Sequence, residues 1–213
     1  MRIGIARPLS IVTLLLAAGI APALAQQAPP AGGPPPAARP AGGGRPSGPP
    51  LQITSSAYSD GGAIPDKYTC VPGGFGTGVS PAVSWTNAPA GTASFILLFH
   101  DPDAHVRKSQ IDVTHWLIYN IPGDSTGLPE GVKPDAPASV GVQANNIMGR
   151  PGYIGPCPPP VAPHHYTLEL LALDTKLDLP AGASRDDVLK AADGHVLAGT
   201  AYIGLFHRNA PTQ

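Results

Sequence analysis

Charge is scarce in this chain: only 13% of its 213 residues are Asp, Glu, Lys or Arg, about half the usual share in soluble proteins. There is no basic excess, since 13 Lys and Arg stand against 14 Asp and Glu. A broad nucleic-acid-binding surface draws on such an excess, so that class is set aside. Cysteine is rarer still. Two residues cannot supply the framework of a disulfide-rich miniprotein or a four-cysteine zinc site. The motifs of several enzyme classes are missing: no Walker loop, no H-E-x-x-H and no C-x-x-C occurs. Gly73, Gly74, Gly76 and Gly78 crowd one stretch, but Val79 stands where a dinucleotide fingerprint needs its third glycine. Ser80-Pro81 follows where that fingerprint needs a helix. The stretch reads as a wide surface loop.

What is abundant is proline and glycine, 28 and 26 residues, about a quarter of the chain. A helix bundle cannot hold that many breakers. Part of the excess lies near the N-terminus. Residues 1–25 have the pattern of a secretory signal peptide: Arg2 and Arg7, an apolar stretch over 11–20 too short to span a bilayer comfortably, then Ala23-Leu24-Ala25 as a small-x-small cleavage site. Nine Pro, six Gly and five Ala fill 20 of the next 25 positions. Residues 26–50 therefore form a disordered, extended linker with nothing to pack. Residues 51–213 are the expected single domain. They hold all 14 acids and nine of the 13 bases, a mildly acidic surface.

Within that domain short β-type runs alternate with Pro and Gly clusters. They lie at 51–58, 83–85, 94–100, 114–119, 166–173 and 201–206. The run Ser-Phe-Ile-Leu-Leu-Phe-His at 94–100 is continuously apolar, as in a central strand buried on both faces. The fold class is mainly β, an antiparallel β-sandwich with a short C-terminal helix crossover. The helix starts at the N-cap Ser184, with Asp186 and Asp187 in its first turn. It carries Val188, Leu189 and Ala192 on one face and ends at Gly194, where a C′ glycine belongs.

Three clusters are chemically unusual. Asp101-Pro102-Asp103-Ala104 ends the apolar run and holds two carboxylates at a strand-to-loop corner. His115-Trp116 begins the next run. The loop Gly152-Tyr153-Ile154-Gly155-Pro156-Cys157-Pro158-Pro159-Pro160 precedes His164-His165-Tyr166. Its prolines make it rigid, and a free N–H of Gly155 or Cys157 could face an anion. Asp-Pro-Asp-Ala, then His-Trp-x-x-x-Asn from His115 to Asn120, then Gly-x-Cys-Pro-Pro with a following His-x-Tyr, resembles the phosphatidylethanolamine-binding protein family. The likeness is to its bacterial, Raf-kinase-inhibitor-like branch. Ser80-Pro81, Ser84-Trp85 and Gly194-His195 are in the same style, and the likeness runs from about residue 52 to 208. The chain departs from the pattern at Gly78, His105, Val161 and His165, all assigned to the pocket mouth.

The resemblance implies a β-sandwich with a small rigid pocket for anionic head groups such as phosphate, phosphoethanolamine or a carboxylate. The matching ligand-binding positions are Asp101, Asp103, His115, Gly155, His164 and Tyr166. His115, His164 and the Tyr166 hydroxyl would donate hydrogen bonds to an oxyanion. Two bare carboxylates would repel it, so at least one is expected to be tied to a histidine or to backbone N–H groups. His165 should alternate outward, and His100 reads as a core or supporting residue. If the chain is exported, Cys70 and Cys157 meet an oxidising compartment and a disulfide between them is favoured over two buried thiols. Their Cα separation decides.

The leading expectation is a non-enzymatic binding protein, periplasmic or secreted, for a small phosphorylated or carboxylated ligand. No cofactor, no metal, no nucleic acid and no membrane insertion after signal cleavage is assigned, and a protein partner is left open. One alternative is a metal-dependent phosphoester hydrolase using the same Asp and His cluster. The other is a secreted, protease-inhibitor-like protein acting through a loop at 133–138.

Overall fold

The computed structural model describes residues 48–106 and 110–209. The expected signal peptide and residues 26–47 of the expected linker lie outside the described residues. Two sheets carry the fold. The larger has six strands in the order β2-β9-β8-β4-β5-β7 and the smaller has three, β1-β3-β6. Their ranges are β1 Gln52–Ser55, β2 Gly62–Ala63, β3 Val83–Thr86, β4 Ser94–Asp101, β5 Val113–Pro122, β6 Gly127–Leu128, β7 Val142–Gln143, β8 His164–Leu173 and β9 Val196–Phe206. All pairings are antiparallel except the two-residue β2–β9 contact.

β4 is the centre, as its composition implies. It pairs β5 on one side and β8 on the other. Its alternate side chains serve two cores. Phe95, Leu97 and Phe99 pack with Ile53, Trp85, Leu168 and Leu170 between the sheets. Ile96 and Leu98 pack on the opposite face with Leu117, Tyr119, Val188 and Ala192. Both faces of this strand must be apolar, so the run shows no alternation.

The second face is covered by α1, Arg185–Ala192, which lies in the connection between the adjacent strands β8 and β9. Its start is the expected one. Ser184 Oγ accepts from the Asp187 backbone N–H at 3.1 Å and donates to the Asp187 carboxylate at 2.6 Å, a cap of the kind that stabilises a helix by about 1 kcal/mol. Val188 and Ala192 are buried and Leu189 only half so. Gly194 has φ +82° just past the end.

Cys70 and Cys157 are joined in a disulfide with a Cα separation of 5.4 Å. The bond ties the proline-rich loop to the segment before the glycine-rich stretch. That stretch is an exposed series of turns, as its composition implied. The loop at 133–138 is also exposed. It folds into turns, with Ala136 N–H donating to the Lys133 carbonyl, and is not an extended reactive strand.

Candidate functional site

The edge of the sheet where β4 ends and β8 begins brings four of the expected residues together. β4 and β8 pair with His100 opposite Thr167. Extending that register by one places Asp101 opposite Tyr166, with His164 on the diagonal of the same face. The Asp101 carboxylate is 3% exposed. One oxygen accepts the Asp103 backbone N–H at 3.0 Å and the other meets His164 Nδ1 at 2.8 Å.

His115 reaches the same place through a break in the strand pattern. Phe99 faces Trp116, but His100 faces Thr114. β5 therefore carries one residue more than β4 at this point, and that residue is His115. A β-bulge of this kind re-aims a side chain. Without it His115 would point to the opposite face from Trp116. With it the His115 ring lies against Tyr166, centroids 5.3 Å apart, and against Phe99 at 5.8 Å.

His115 is enclosed, and its Nδ1 is 3.0 Å from the Ile154 carbonyl. A carbonyl only accepts, so Nδ1 carries the proton. Burial pulls the imidazole down to about 4, against the upward pull of the Ile154 carbonyl and the Asp101 carboxylate. The side chain is neutral at physiological pH. The donor role expected of His115 is corrected accordingly: its one N–H is already spent, and Nε2 presents a lone pair.

Tyr166 is fully buried, and its hydroxyl makes no hydrogen bond of ordinary geometry among the described residues, although the Asp101 carboxylate and the Cys157 backbone N–H lie near it. Burial, and after it the Asp101 carboxylate, push its ionisation far above the ordinary range. The phenol keeps its proton and remains a donor. Its ring lies 6.4 Å from that of His164. The His164 side chain is 15% exposed, whereas His115 is 4% and Tyr166 0% exposed. The open edge of the cluster is therefore at His164.

Asp103 and Gly155 take other places. Asp103 lies at the rim, where its carboxylate accepts the His165 backbone N–H at 2.7 Å and meets His165 Nδ1 at 2.8 Å. The His165 backbone N–H, and less strongly its ring, hold Asp103 below the usual carboxylate range. His165 points outward as expected. Both carboxylates are tied by hydrogen bonds, as the sequence reading expected of at least one.

The Gly155 N–H is not free for an anion: it donates to the Thr77 carbonyl at 2.7 Å. The residue is instead a point of close approach. A Cβ there would lie 2.6 Å from the Thr69 carbonyl carbon. Gly78, at φ +121°, is a second close approach: a Cβ there would lie 3.0 Å from the Gly155 Cα.

Two residues of the site had no signal of their own in the sequence. The Ile154 carbonyl orients His115. Tyr153 stacks on Phe99 at 5.6 Å, stands edge-on to Trp116 at 5.9 Å, and donates its hydroxyl to the Tyr68 carbonyl at 2.7 Å. A backbone carbonyl has no sequence signature, and Tyr153 looks like any loop aromatic. Trp116 itself is core, with its indole N–H on Gln143 Oε1 at 2.9 Å.

His100 lies behind the sheet, paired with Asp112 at 2.6 Å. Burial would raise Asp112, but Arg185 and His100 together hold it below the usual carboxylate range. Surface clefts of about 260 and 310 Å³ include none of Asp101, His115, His164 or Tyr166; the first is lined in part by Gly78 and Tyr153, and the second lies beside the disulfide and Arg208. Among the described residues no three His, Cys, Asp or Glu side chains group so as to hold a metal ion, and no helix is long and apolar enough to cross a membrane.

Residues 54–207 match the family model described as phosphatidylethanolamine-binding protein. A UPF0098 protein of Methanothermobacter thermautotrophicus is 46% identical over 160 residues, 74% of this chain and 99% of that protein. A Chlamydia trachomatis protein, CT736, described as a candidate phosphatidylethanolamine-binding protein homologue, is 34% identical in its crystal structure with a TM-score of 0.66. The match covers 75% of this chain and 99% of that one. YbcL of E. coli, described as a new member of the mammalian family, is 28% identical with a TM-score of 0.66 over the same shares.

Proposed function

The chain belongs to the phosphatidylethanolamine-binding protein family, and from that premise we propose that it is an exported, non-catalytic binding protein for a small phosphorylated or carboxylated anion. Asp101, His115, His164 and Tyr166 form the pocket, Asp103 braces its rim and Gly155 seats its loop.

The observation that carries this reading is the Tyr166 hydroxyl, buried and without a hydrogen bond of ordinary geometry among the described residues. A buried polar group left without a hydrogen bond costs about 1–3 kcal/mol. A ligand oxygen placed there would recover that loss, and the histidine edges beside it suit an oxyacid. Export is supported by the composition of residues 1–25 and by the Cys70–Cys157 bond, a linkage that persists in oxidising compartments.

Isothermal titration of the full chain with phosphoethanolamine and phosphate, metals chelated, tests the pocket. Binding at pH 6 that disappears in His164→Ala is the expected result. No binding at pH 6 or pH 8, followed by binding once zinc is restored, would replace this reading with the metal-dependent one. Export is tested separately by the mass of the chain recovered from a periplasmic extract, which should begin at Gln26.

A further inference from the structure

Cys157 faces two neighbourhoods. Its backbone N–H lies near the Tyr166 hydroxyl in the cluster described above. Its sulfur, joined to Cys70, is 4.0 Å from Arg208 Nη1. Both cysteines and Arg208 line the surface cleft of about 310 Å³, with Asp66, Val71, Phe75 and His207. That volume is at the lower end of the range for small-molecule sites.

Arg208 is the residue that lacks a match. It follows β9 and its side chain is half-buried. Its Nε is shut off from water and donates to nothing among the described residues. Its Nη1 meets the Cys157 sulfur at 4.0 Å, a weak acceptor. No carboxylate among the described residues pairs with it. Asp66, the acid on the cleft, is exposed and forms no ion pair with Arg208. A guanidinium keeps its charge, and a buried N–H with no acceptor is costly. A carboxylate is the matching group, since its two oxygens take the Nε–H and one Nη–H side by side. The arginine arm is long, and a small swing presents that edge to the cleft.

The rest of the wall narrows the class. Phe75 is 66% and Val71 48% exposed, so two large apolar side chains stand open on the same cleft as the guanidinium. An apolar wall with one fixed charge suits a ligand with an apolar body and one acid group. Asp66 on the rim opposes a second negative charge, which disfavours a dianion. We propose that this cleft is a second ligand site, separate from the anion pocket, for a small aromatic or aliphatic monocarboxylic acid. Its carboxylate sits on the Arg208 fork and its body lies against Phe75 and Val71.

Titration calorimetry on the full chain at pH 7, with phenylacetate, acetate and inorganic phosphate as probes, tests this. Phenylacetate is expected to bind the native chain and His164→Ala alike. It should weaken about tenfold or more in Arg208→Gln, the scale of one charge-assisted hydrogen bond. Acetate, which lacks the apolar body, is expected to bind more weakly than phenylacetate. Phosphate probes the other pocket, so its binding should be lost in His164→Ala and kept in Arg208→Gln. Phenylacetate that fails to bind, or that survives Arg208→Gln and is lost in His164→Ala, would overturn the second site and leave the anion pocket standing. Acetate binding as tightly as phenylacetate would overturn the assigned ligand class. Phosphate that fails to bind while phenylacetate behaves as expected would remove the anion pocket and keep this site. Should Arg208→Gln fail to fold, nitrogen-15 NMR of the arginine Nε–H groups in the native chain decides. The Arg208 signal, identified by its loss in Arg208→Lys, should shift as phenylacetate saturates, and an unmoved signal would overturn the proposal.

Discussion

Asp101 and His164 stand 63 residues apart in the chain and meet at 2.8 Å across neighbouring strands. The pair sets the tautomer of His164, because a carboxylate oxygen can only accept. In Asp101→Asn the remaining carbonyl oxygen stays with the Asp103 N–H, and the amide nitrogen turns to His164 as a donor. The His164 proton should then move from Nδ1 to Nε2. Nitrogen-15 NMR of the histidine rings reads this directly, and an unchanged tautomer in the variant would remove the pair from its assigned role.

His115 makes stability depend on pH. Its ring titrates at about 4 when folded against 6.5 for the free side chain, so the unfolded chain takes up the proton first as pH falls. The native state loses stability between about pH 6.5 and pH 4, by about 3 kcal/mol in total from this group. Urea midpoints across that window should fall for the native chain and fall less in His115→Gln. Parallel curves would show that His115 is not the group responsible.

The disulfide is expected to stabilise the domain and to hold the pocket loop. Its ends are 87 residues apart in sequence, and closing a loop of that length removes chain entropy worth about 4 kcal/mol. Denaturation with and without reductant should differ by that order. Cys70→Ser with Cys157→Ser should weaken phosphate binding at denaturant concentrations that leave the sheet folded. Binding that survives as long as the sheet does would make the bond a brace for the fold alone.

Gly155→Ala should destabilise by roughly 1–3 kcal/mol, the usual range for overpacking. The added methyl meets backbone, the Thr69 carbonyl carbon at 2.6 Å, which cannot swing aside as a side chain can. A melting temperature equal to that of the native chain would show that the 69–70 and 155–157 segments are not packed as described.

Much of the architecture was legible because the relevant signals are local. The 94–100 run had to be a strand buried on both faces, and the Ser184 cap with Gly194 bracketed a helix. β2, β6 and β7 were missed because two residues cannot show a period. Asn120 marks a second irregularity in β5, at φ +53°, with its side-chain amide pairing both ways with Leu177. Nothing in His-Trp-x-x-x-Asn reveals that two bulges fall within it.

By itself the sequence determined the fold class, the family and four residues that converge, because hydrophobic pattern, caps and ordered motifs act over short spans of chain. What only the tertiary structure decided is what those residues do. Strand register turned His115 inward, and the Ile154 carbonyl accepted the hydrogen bond of its Nδ1–H. Thr77 took the Gly155 N–H, and close packing left the Tyr166 hydroxyl without a hydrogen bond of ordinary geometry. Each outcome depends on which atom from a distant segment arrives within about 3 Å, and a hydrogen bond has no range beyond that by which a sequence could announce it.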